Sequence, residues 1–364
     1  MVNNRRQSRQ VRAGSLVIGG GAPVSLQSMT SCPLEDIAAT ITQIRSLEEA
    51  GAQMVRLAIR TEDHVTHLRE IRQNISLPLC GDIHFNHRIA LGAIDAGIDK
   101  IRLNPGNVGE RWKVEEVVRS AKEHNVPIRI GVNGGSLDSK KYPQVTPRSL
   151  TDSAMDHVKI LEDLYFDDIV ISIKSSNIPQ TLQANRLLAD TVDYPIHVGL
   201  TEAGYGLNCI VQSSVAIGSL LLEGIGDTIR VSMTGDPVEE ITVGRKILEA
   251  TGSRKAPIQV ISCPTCGRTD PGINLLELAK KTDQVLTNRF HDKIKASGNT
   301  VTVAVMGCEV NGPGEAAHAD IGIAGGRGGQ MLLFAEGKKL RKVDVNNAVQ
   351  ELADELEVLL EKLL

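Results

Sequence analysis

Short runs of β-branched and aliphatic residues alternate along the chain with longer stretches whose apolar positions recur every three to four residues. The short runs are Pro23–Thr30, Met54–Arg60, Leu77–His84, Lys100–Asn104, Pro127–Asn133, Asp168–Lys174, Pro195–Thr201 and Thr228–Thr234. The longer stretches are Asp36–Ala50, Thr61–Asn74, Phe85–Ala96, Trp112–His124, Ser149–Leu164, Ile178–Val192, Ile210–Leu222 and Pro237–Ala250. A period of two predicts strands and a period near 3.6 predicts amphipathic helices. Eight strand–helix units in succession predict an α/β fold, a (β/α)8 TIM-type barrel over residues 1–254. An open doubly wound sheet is the rival. No Gly-x-Gly-x-x-Gly turn follows the first strand, which favours the barrel.

The pattern changes after Ala250. Thr251–Pro257 reads as a linker, and residues 255–364 are expected to form a second domain, a small α/β sandwich. Its expected strands are Ile258–Ser262, Thr300–Met306, Asp320–Ala324, Met331–Ala335 and Lys338–Val343. Its expected helices are Asn274–Thr287 and the amphipathic Val345–Leu364.

Within the barrel strands one alternating set is aliphatic, as in Val55, Leu57, Ile59 or Ile128, Ile130, Val132, and should face the helices. The other set should face the lumen, and it is polar. It comprises Arg56 and Arg60; Asp82 and His84; Arg102 and Asn104; Arg129 and Asn133; Ser172 and Lys174; His197 and Thr201; and Arg230, Ser232 and Thr234. An ordinary lumen is filled with branched apolar side chains. Here Arg56, Arg102, Arg129, Lys174 and Arg230 would all point inward. Asp82, with Glu202 just past the seventh strand, does not balance them. Burying such charges without partners is very costly. A multiply anionic ligand such as a diphosphate would satisfy guanidinium forks bidentately. Gly106 and the Gly134-Gly135 pair, in turns after two of these strands, could bring backbone N–H groups close to phosphate.

Overall charge narrows the reading further. The 364 residues carry 40 Lys+Arg against 44 Asp+Glu, a formal net charge of −4, and aromatics make up 2%. A nucleic-acid binder would show a basic excess and stacking aromatics, so none is expected. No apolar run approaches the roughly 20 residues of a membrane span. Met1–Gly14 lacks the apolar core of a secretory signal and reads as a frayed polar tail. Six cysteines in a chain of this size suit a reducing cytoplasm better than a disulfide framework.

Three of those cysteines fall in two Gly/Pro-rich turns, Cys263-Pro264-Thr265-Cys266-Gly267 and Met306-Gly307-Cys308-Glu309. They are expected to bind a metal centre. A Cys3His zinc site using His318 and a Cys263–Cys266 disulfide are alternatives. An iron–sulfur cluster with three thiolates and one weaker oxygen ligand fits best. Cys32, Cys80 and Cys209 read as ordinary buried or loop cysteines. Two further readings lack redox chemistry: a zinc-stabilised barrel binding or cleaving a phosphorylated molecule, and a barrel aldolase with Lys174 as Schiff base.

Taken together, the motifs resemble one family over essentially the whole chain. They are Ser25-Leu26-Gln27-Ser28-Met29-Thr30, Asp82-Ile83-His84-Phe85, Ile101-Arg102-Leu103-Asn104-Pro105-Gly106-Asn107, Arg129-Ile130-Gly131-Val132-Asn133, His197-Val198-Gly199-Leu200-Thr201-Glu202-Ala203-Gly204, Ser262-Cys263-Pro264-Thr265-Cys266-Gly267-Arg268 and Gly307-Cys308-Glu309-Val310-Asn311-Gly312-Pro313-Gly314-Glu315. The chain resembles the 4-hydroxy-3-methylbut-2-en-1-yl diphosphate synthases, in their shorter bacterial two-domain form. The resemblance implies a [4Fe-4S] cluster held by Cys263, Cys266, Cys308 and the carboxylate of Glu315. It implies reductive ring opening of a cyclic diphosphate, with electrons from flavodoxin or ferredoxin. It also implies a homodimer in which one chain's cluster domain caps the partner's barrel. On that basis Arg56, Arg102, Asn104, Arg129, Asn133, Ser172, Lys174, His197, Arg230 and Ser232 are expected to hold the substrate. Glu202 is the candidate for protonating the departing hydroxyl, and Glu315 is a ligand that substrate oxygen could displace.

Overall fold

Where a polar tail is expected, the chain begins with a hairpin. Gln10–Ala13 (β1) pairs antiparallel with Leu16–Gly19 (β2). In β1 only alternate residues are apolar, and Gln10 and Arg12 hide that strand from a hydropathy reading. Ala13 and Ile18 pack on Met54 and Cys80, near the N-terminal ends of two barrel strands. The residues before it are tethered too. Arg5 Nη2 and Ser8 Oγ both donate to Asp227 Oδ1, at 3.0 and 2.9 Å, and Ile196 N donates to Oδ2 at 2.8 Å. Asp227 is buried. Asp227→Ala is therefore expected to cost about 3 kcal/mol by stranding a half-buried cation and a buried backbone N–H, a loss that denaturant unfolding would measure.

The computed structural model describes residues 5–308, 314, 318–326 and 328–363. It divides into two units, Met1–Arg254 and Lys255–Leu364. In the first, strands and helices alternate: Ser25–Met29 (β3), Ile37–Glu49 (α1), Met54–Ala58 (β4), Asp63–Asn74 (α2), Leu79–Asp82 (β5), His87–Asp95 (α3), Lys100–Arg102 (β6), Arg111–His124 (α4), Ile128–Asn133 (β7), Pro147–Glu162 (α5), Ile169–Lys174 (β8), Ile178–Thr191 (α6), His197–Val198 (β9), Gly206–Leu222 (α7), Thr228–Ile229 (β10) and Pro237–Ala250 (α8). Polar caps start several helices. Asp36 accepts from Ala39 N, Asn177 from Gln180 N, and Asp236 from Val238 N with Pro237 next in line.

The eight strands β3–β10 are parallel, in the order β8-β7-β6-β5-β4-β3-β10-β9. A parallel bridge between Ile171 and Ile196 joins the two ends and closes the barrel. The aliphatic set packs outward, as expected from its alternation. Val55, Leu57, Ile101, Leu103, Ile128, Ile130, Ile171, Ile173, Val198, Leu200 and Ile229 share one core with helix residues such as Leu47, Leu68, Val117, Leu161, Leu188, Leu220 and Leu248. That packing leaves the polar set no place but the lumen.

The second unit is a five-stranded sheet: Ile258–Ser262 (β11), Val301–Met306 (β12), Ile321–Gly325 (β13), Gln330–Ala335 (β14) and Lys338–Asp344 (β15), in sequence order. The first three strands are parallel and the last three antiparallel. Leu275–Ser297 (α9) and Ala348–Leu363 (α10) share a core with the sheet through Leu286, Phe290, Ile294, Leu352, Leu356 and Leu360. Helix α9 runs ten residues past the expected Thr287. The charged stretch Asn288–Lys295 masks Phe290 and Ile294, which continue the four-residue ladder from Leu286. Gly298, at φ +70°, ends it.

Candidate active site in the barrel lumen

Inward side chains line a cavity of about 170 Å³ that opens to solvent. Its walls are Arg56, Asp82, His84, Arg102, Arg129, Asn133, Ser172, Lys174, Thr201, Arg230 and Ser232, with Gly131 and Val132. All five cations singled out by strand parity meet here.

Their partners decide what each can do. Asp82 lies between two arginines, 3.8 Å from Arg56 Nε and 3.6 Å from Arg102 Nη1. Burial would raise its pKa, but the charges of Arg56, Arg102 and Arg129 together hold it below the usual carboxylate value. Arg230 is gripped by Glu240, with Nη2 donating to Oε1 at 3.0 Å and Nε to Oε2 at 3.3 Å. Glu240 also accepts from Ser28 Oγ and Met233 N. Arg129, only 2% exposed, has no carboxylate partner among the described residues, and its Nε and Nη2 are unsatisfied. Burial, reinforced by Arg56 and Arg102, pushes it down to about 9. Burial, with Arg230, Arg129 and Arg56 close by, also drives Lys174 well below its ordinary value. Asp82 and Glu240 thus offset two of the five formal positive charges, and the cavity keeps a formal surplus of three.

Glycines make room for this convergence. A Cβ on Gly131 would lie 2.8 Å from Arg102 Nε and 3.4 Å from Arg129 Nη1. The Gly131 carbonyl meanwhile accepts from Arg102 Nη2 at 3.0 Å and Asn104 Nδ2 at 2.9 Å. Gly131→Ala meets only the far ends of flexible side chains. It is expected to leave the fold intact while displacing the two guanidinium groups, raising KM about fivefold or more, as steady-state kinetics would register.

The expected site residues fall into distinct places. Arg56, Arg102, Arg129, Asn133, Ser172, Lys174, Arg230 and Ser232 line the cavity. Asn104 is buried, and its amide both donates to and accepts from the Gly131 backbone, so it braces β7. His197 is fully buried and lies outside the lining. Burial, then the charges of Lys174, Arg129 and Lys100, holds its ring neutral. Glu202 is exposed in the turn after β9, at φ +56°. Arg60, placed inward by parity, is exposed because β4 ends at Ala58.

Two lumen residues escape the sequence reading. Glu240 lies in the first turn of α8, where acids are common for reasons of helix polarity alone; nothing local marks it as buried. Lys100 shares its strand parity with Arg102, and that signal was present.

In the second unit the register of β11 with β12 pairs Ser262 with Val305. The two cysteine turns therefore leave the same end of adjacent parallel strands. Gly307 N donates to Cys263 Sγ at 3.3 Å. Cys266 is exposed, and N–H donation from Arg268 lowers its thiol pKa. Cys308 is buried. Among the described residues no three His, Cys, Asp or Glu side chains are grouped as a metal site. Glu315 lies outside the described residues. Also among the described residues, no helix is long and apolar enough to cross a membrane.

Fold and cavity together define a (β/α)8-barrel protein built for a multiply charged anion, with an appended α/β unit that carries thiols. Comparison with known proteins gives the family. The GcpE TIM-barrel domain matches residues 8–245, and the GcpE protein C-terminal domain matches residues 259–358. A relative from Clostridium perfringens is 48% identical over 359 residues, spanning 98% of this chain and 100% of its own. One from Clostridium acetobutylicum is 49% identical over 97% of this chain and 99% of its own. A third, from Geobacillus thermodenitrificans, is 48% identical over 99% and 94%. Each bears the name 4-hydroxy-3-methylbut-2-en-1-yl diphosphate synthase (flavodoxin). The chain belongs to this family.

Proposed function

We infer that the chain converts 2-C-methyl-D-erythritol 2,4-cyclodiphosphate to (E)-4-hydroxy-3-methylbut-2-enyl diphosphate, with flavodoxin as electron donor; ferredoxin is the other candidate. The observation that carries this reading is the cavity's formal surplus of three positive charges. A cyclic diphosphate brings two negative charges. Breaking the ring C–O bond leaves a terminal phosphate, and the linear product bears three. The site's attraction therefore grows along the reaction, which is the condition for electrostatic catalysis rather than mere binding.

The chain's own residues supply that preorganisation. Asp82 and the Gly131 carbonyl fix Arg102, and Glu240 fixes Arg230, before substrate arrives. Arg129 and Lys174 have no such tether, and a bound diphosphate favours the charge that burial opposes on both. Ser172, Ser232 and Asn133 offer short polar groups to phosphate or hydroxyl oxygens. Counted with the dianion and the trianion, the reaction takes up two electrons and one proton and releases one water. Glu202, on the turn after β9, is the residue proposed to deliver that proton to the departing hydroxyl.

The domain assignment follows: residues 1–254 bind substrate and residues 255–364 carry a [4Fe-4S] cluster. The donor set fits, because the turns of Cys263 and Cys308 leave one sheet end and N–H groups meet Cys263 and Cys266, as thiolate ligands require. Cys263, Cys266, Cys308 and Glu315 would hold the cluster, which supplies electrons one at a time. A homodimer with one chain's cluster domain capping its partner's barrel completes the reading. Full-length likeness to flavodoxin-named synthases favours it over a non-redox zinc barrel.

The test is an anaerobic assay of the purified chain with reduced flavodoxin and the cyclic diphosphate. The expected result is one linear diphosphate per two electrons drawn from the donor. Ring opening without electron uptake, or colourless protein holding one zinc, would overturn the reading.

A further inference from the structure

Beneath the substrate cavity the lumen holds one more cation, Lys100, and among the described residues no carboxylate meets it. Lys100 is completely buried, and its one hydrogen bond runs to Gln27 Oε1 at 3.3 Å. An ammonium has three N–H donors, so two are unused. At the other end of that amide, Gln27 Nε2 has no partner. Neither do Ser25 Oγ, Arg129 Nε and Nη2, or either ring nitrogen of His197. All five side chains are at most 2% exposed.

These groups lie close together in the lumen, where Lys100 reaches Gln27 and bears with Arg129 on His197. Thr228 of β10 is in register with Ser25 on one side and His197 on the other. The charges of Arg129 and Lys100 both bear on His197, and that of Arg129 bears on Lys100. The two lumen acids are engaged elsewhere, Asp82 with Arg56 and Arg102, and Glu240 with Arg230. Cys80, in register with Lys100, is the remaining ionisable neighbour. Burial pushes Lys100 down to about 8, with Cys80 opposing and Arg129 and Arg56 adding to the shift.

The balance of donors and acceptors decides what belongs there. Lys100, the Arg129 guanidinium and Gln27 Nε2 can only donate, and the neutral His197 ring donates once. A water molecule could give its hydrogens to Ser25 Oγ and the unprotonated His197 nitrogen, but it carries no charge to set against Lys100 and Arg129. A monatomic anion accepts from every donor and also offsets two buried positive charges. We propose that this part of the lumen is a binding site for a small inorganic monoanion of the halide class, bounded by Lys100, Arg129, Gln27 and His197. It holds the deep side of Arg129 charged and ordered when the cavity above is empty. Of the cavity's lining residues it uses Arg129 alone, so it stands or falls apart from the redox assignment.

The full chain is the sample. Crystals grown without halide and soaked in sodium bromide are expected to show an anomalous bromine peak in contact with Lys100 Nζ and Arg129. In solution the melting temperature is expected to rise and saturate with sodium chloride, measured against sodium gluconate at equal ionic strength. Lys100→Met removes that dependence. Should that variant fail to fold, Gln27→Glu supplies a carboxylate in the anion's place and is likewise expected to abolish the chloride response. Ordered water without an anomalous peak overturns the proposal. So does a chloride response that persists in Gln27→Glu. A bromide peak with no chloride response in solution means binding at crystal concentration only, and also overturns it.

Discussion

Arg129→Met is expected to weaken binding of the cyclic diphosphate at least tenfold and yet to melt at a higher temperature than the parent chain in halide-free buffer without ligand. Both effects come from one feature. Arg129 is 2% exposed, no carboxylate among the described residues answers it, and two of its nitrogens are unsatisfied. In the empty barrel its charge is a net cost, reflected in a pKa pushed down to about 9 by burial. An apolar side chain of similar length removes that cost, for a gain of about 1–3 kcal/mol. With ligand bound the balance reverses. A charge-assisted hydrogen bond to phosphate contributes about 1.5–3 kcal/mol, and its loss corresponds to roughly a 10- to 150-fold weaker complex. Calorimetric unfolding of the free protein and titration with the cyclic diphosphate measure the two halves separately. A lower melting temperature with unchanged affinity would mean that Arg129 is a structural residue.

Cys266→Ser is expected to reduce turnover to below about 1% of the parent and to abolish the brown colour of anaerobically prepared protein, with little change in melting temperature. Cys266 is the informative choice because its side chain is exposed. Serine there removes no packing, so any loss reports ligation alone. Cys308 is buried beside β12, and its replacement would mix ligation with a packing defect. Visible absorption and iron content after reconstitution provide the readout. A Cys266→Ser protein that stays brown and active would remove this residue from the ligand set.

Much of the cavity could be read from the chain because strand parity is a local property. Arg56, Arg102, Arg129, Lys174 and Arg230 share one face because consecutive side chains in a strand must alternate. Their aliphatic neighbours have to meet the helices, so the cations have only the lumen. The cysteine turns were legible for a similar reason, since each follows a short apolar run that could only be a strand. Helix α9 was read short because charged residues between Leu286 and Ile294 obscure the buried positions. The N-terminal hairpin is hard to read because its strands have only four residues each and the first alternates with Gln10 and Arg12.

What the sequence alone determined is which side chains enter the barrel and which elements carry them, since both follow from backbone geometry over a few residues. Tertiary structure alone decided which of those charges are answered. Glu240 reaches Arg230 from a helix, Asp82 bridges arginines on both neighbouring strands, and the Asn104 amide braces the Gly131 backbone. Those pairings exist only once eight strands have closed. They leave Arg129 and Lys174 without a fixed acid. The physical reason is that alternation is set residue by residue, whereas compensation of a buried charge depends on groups brought together from distant parts of the chain.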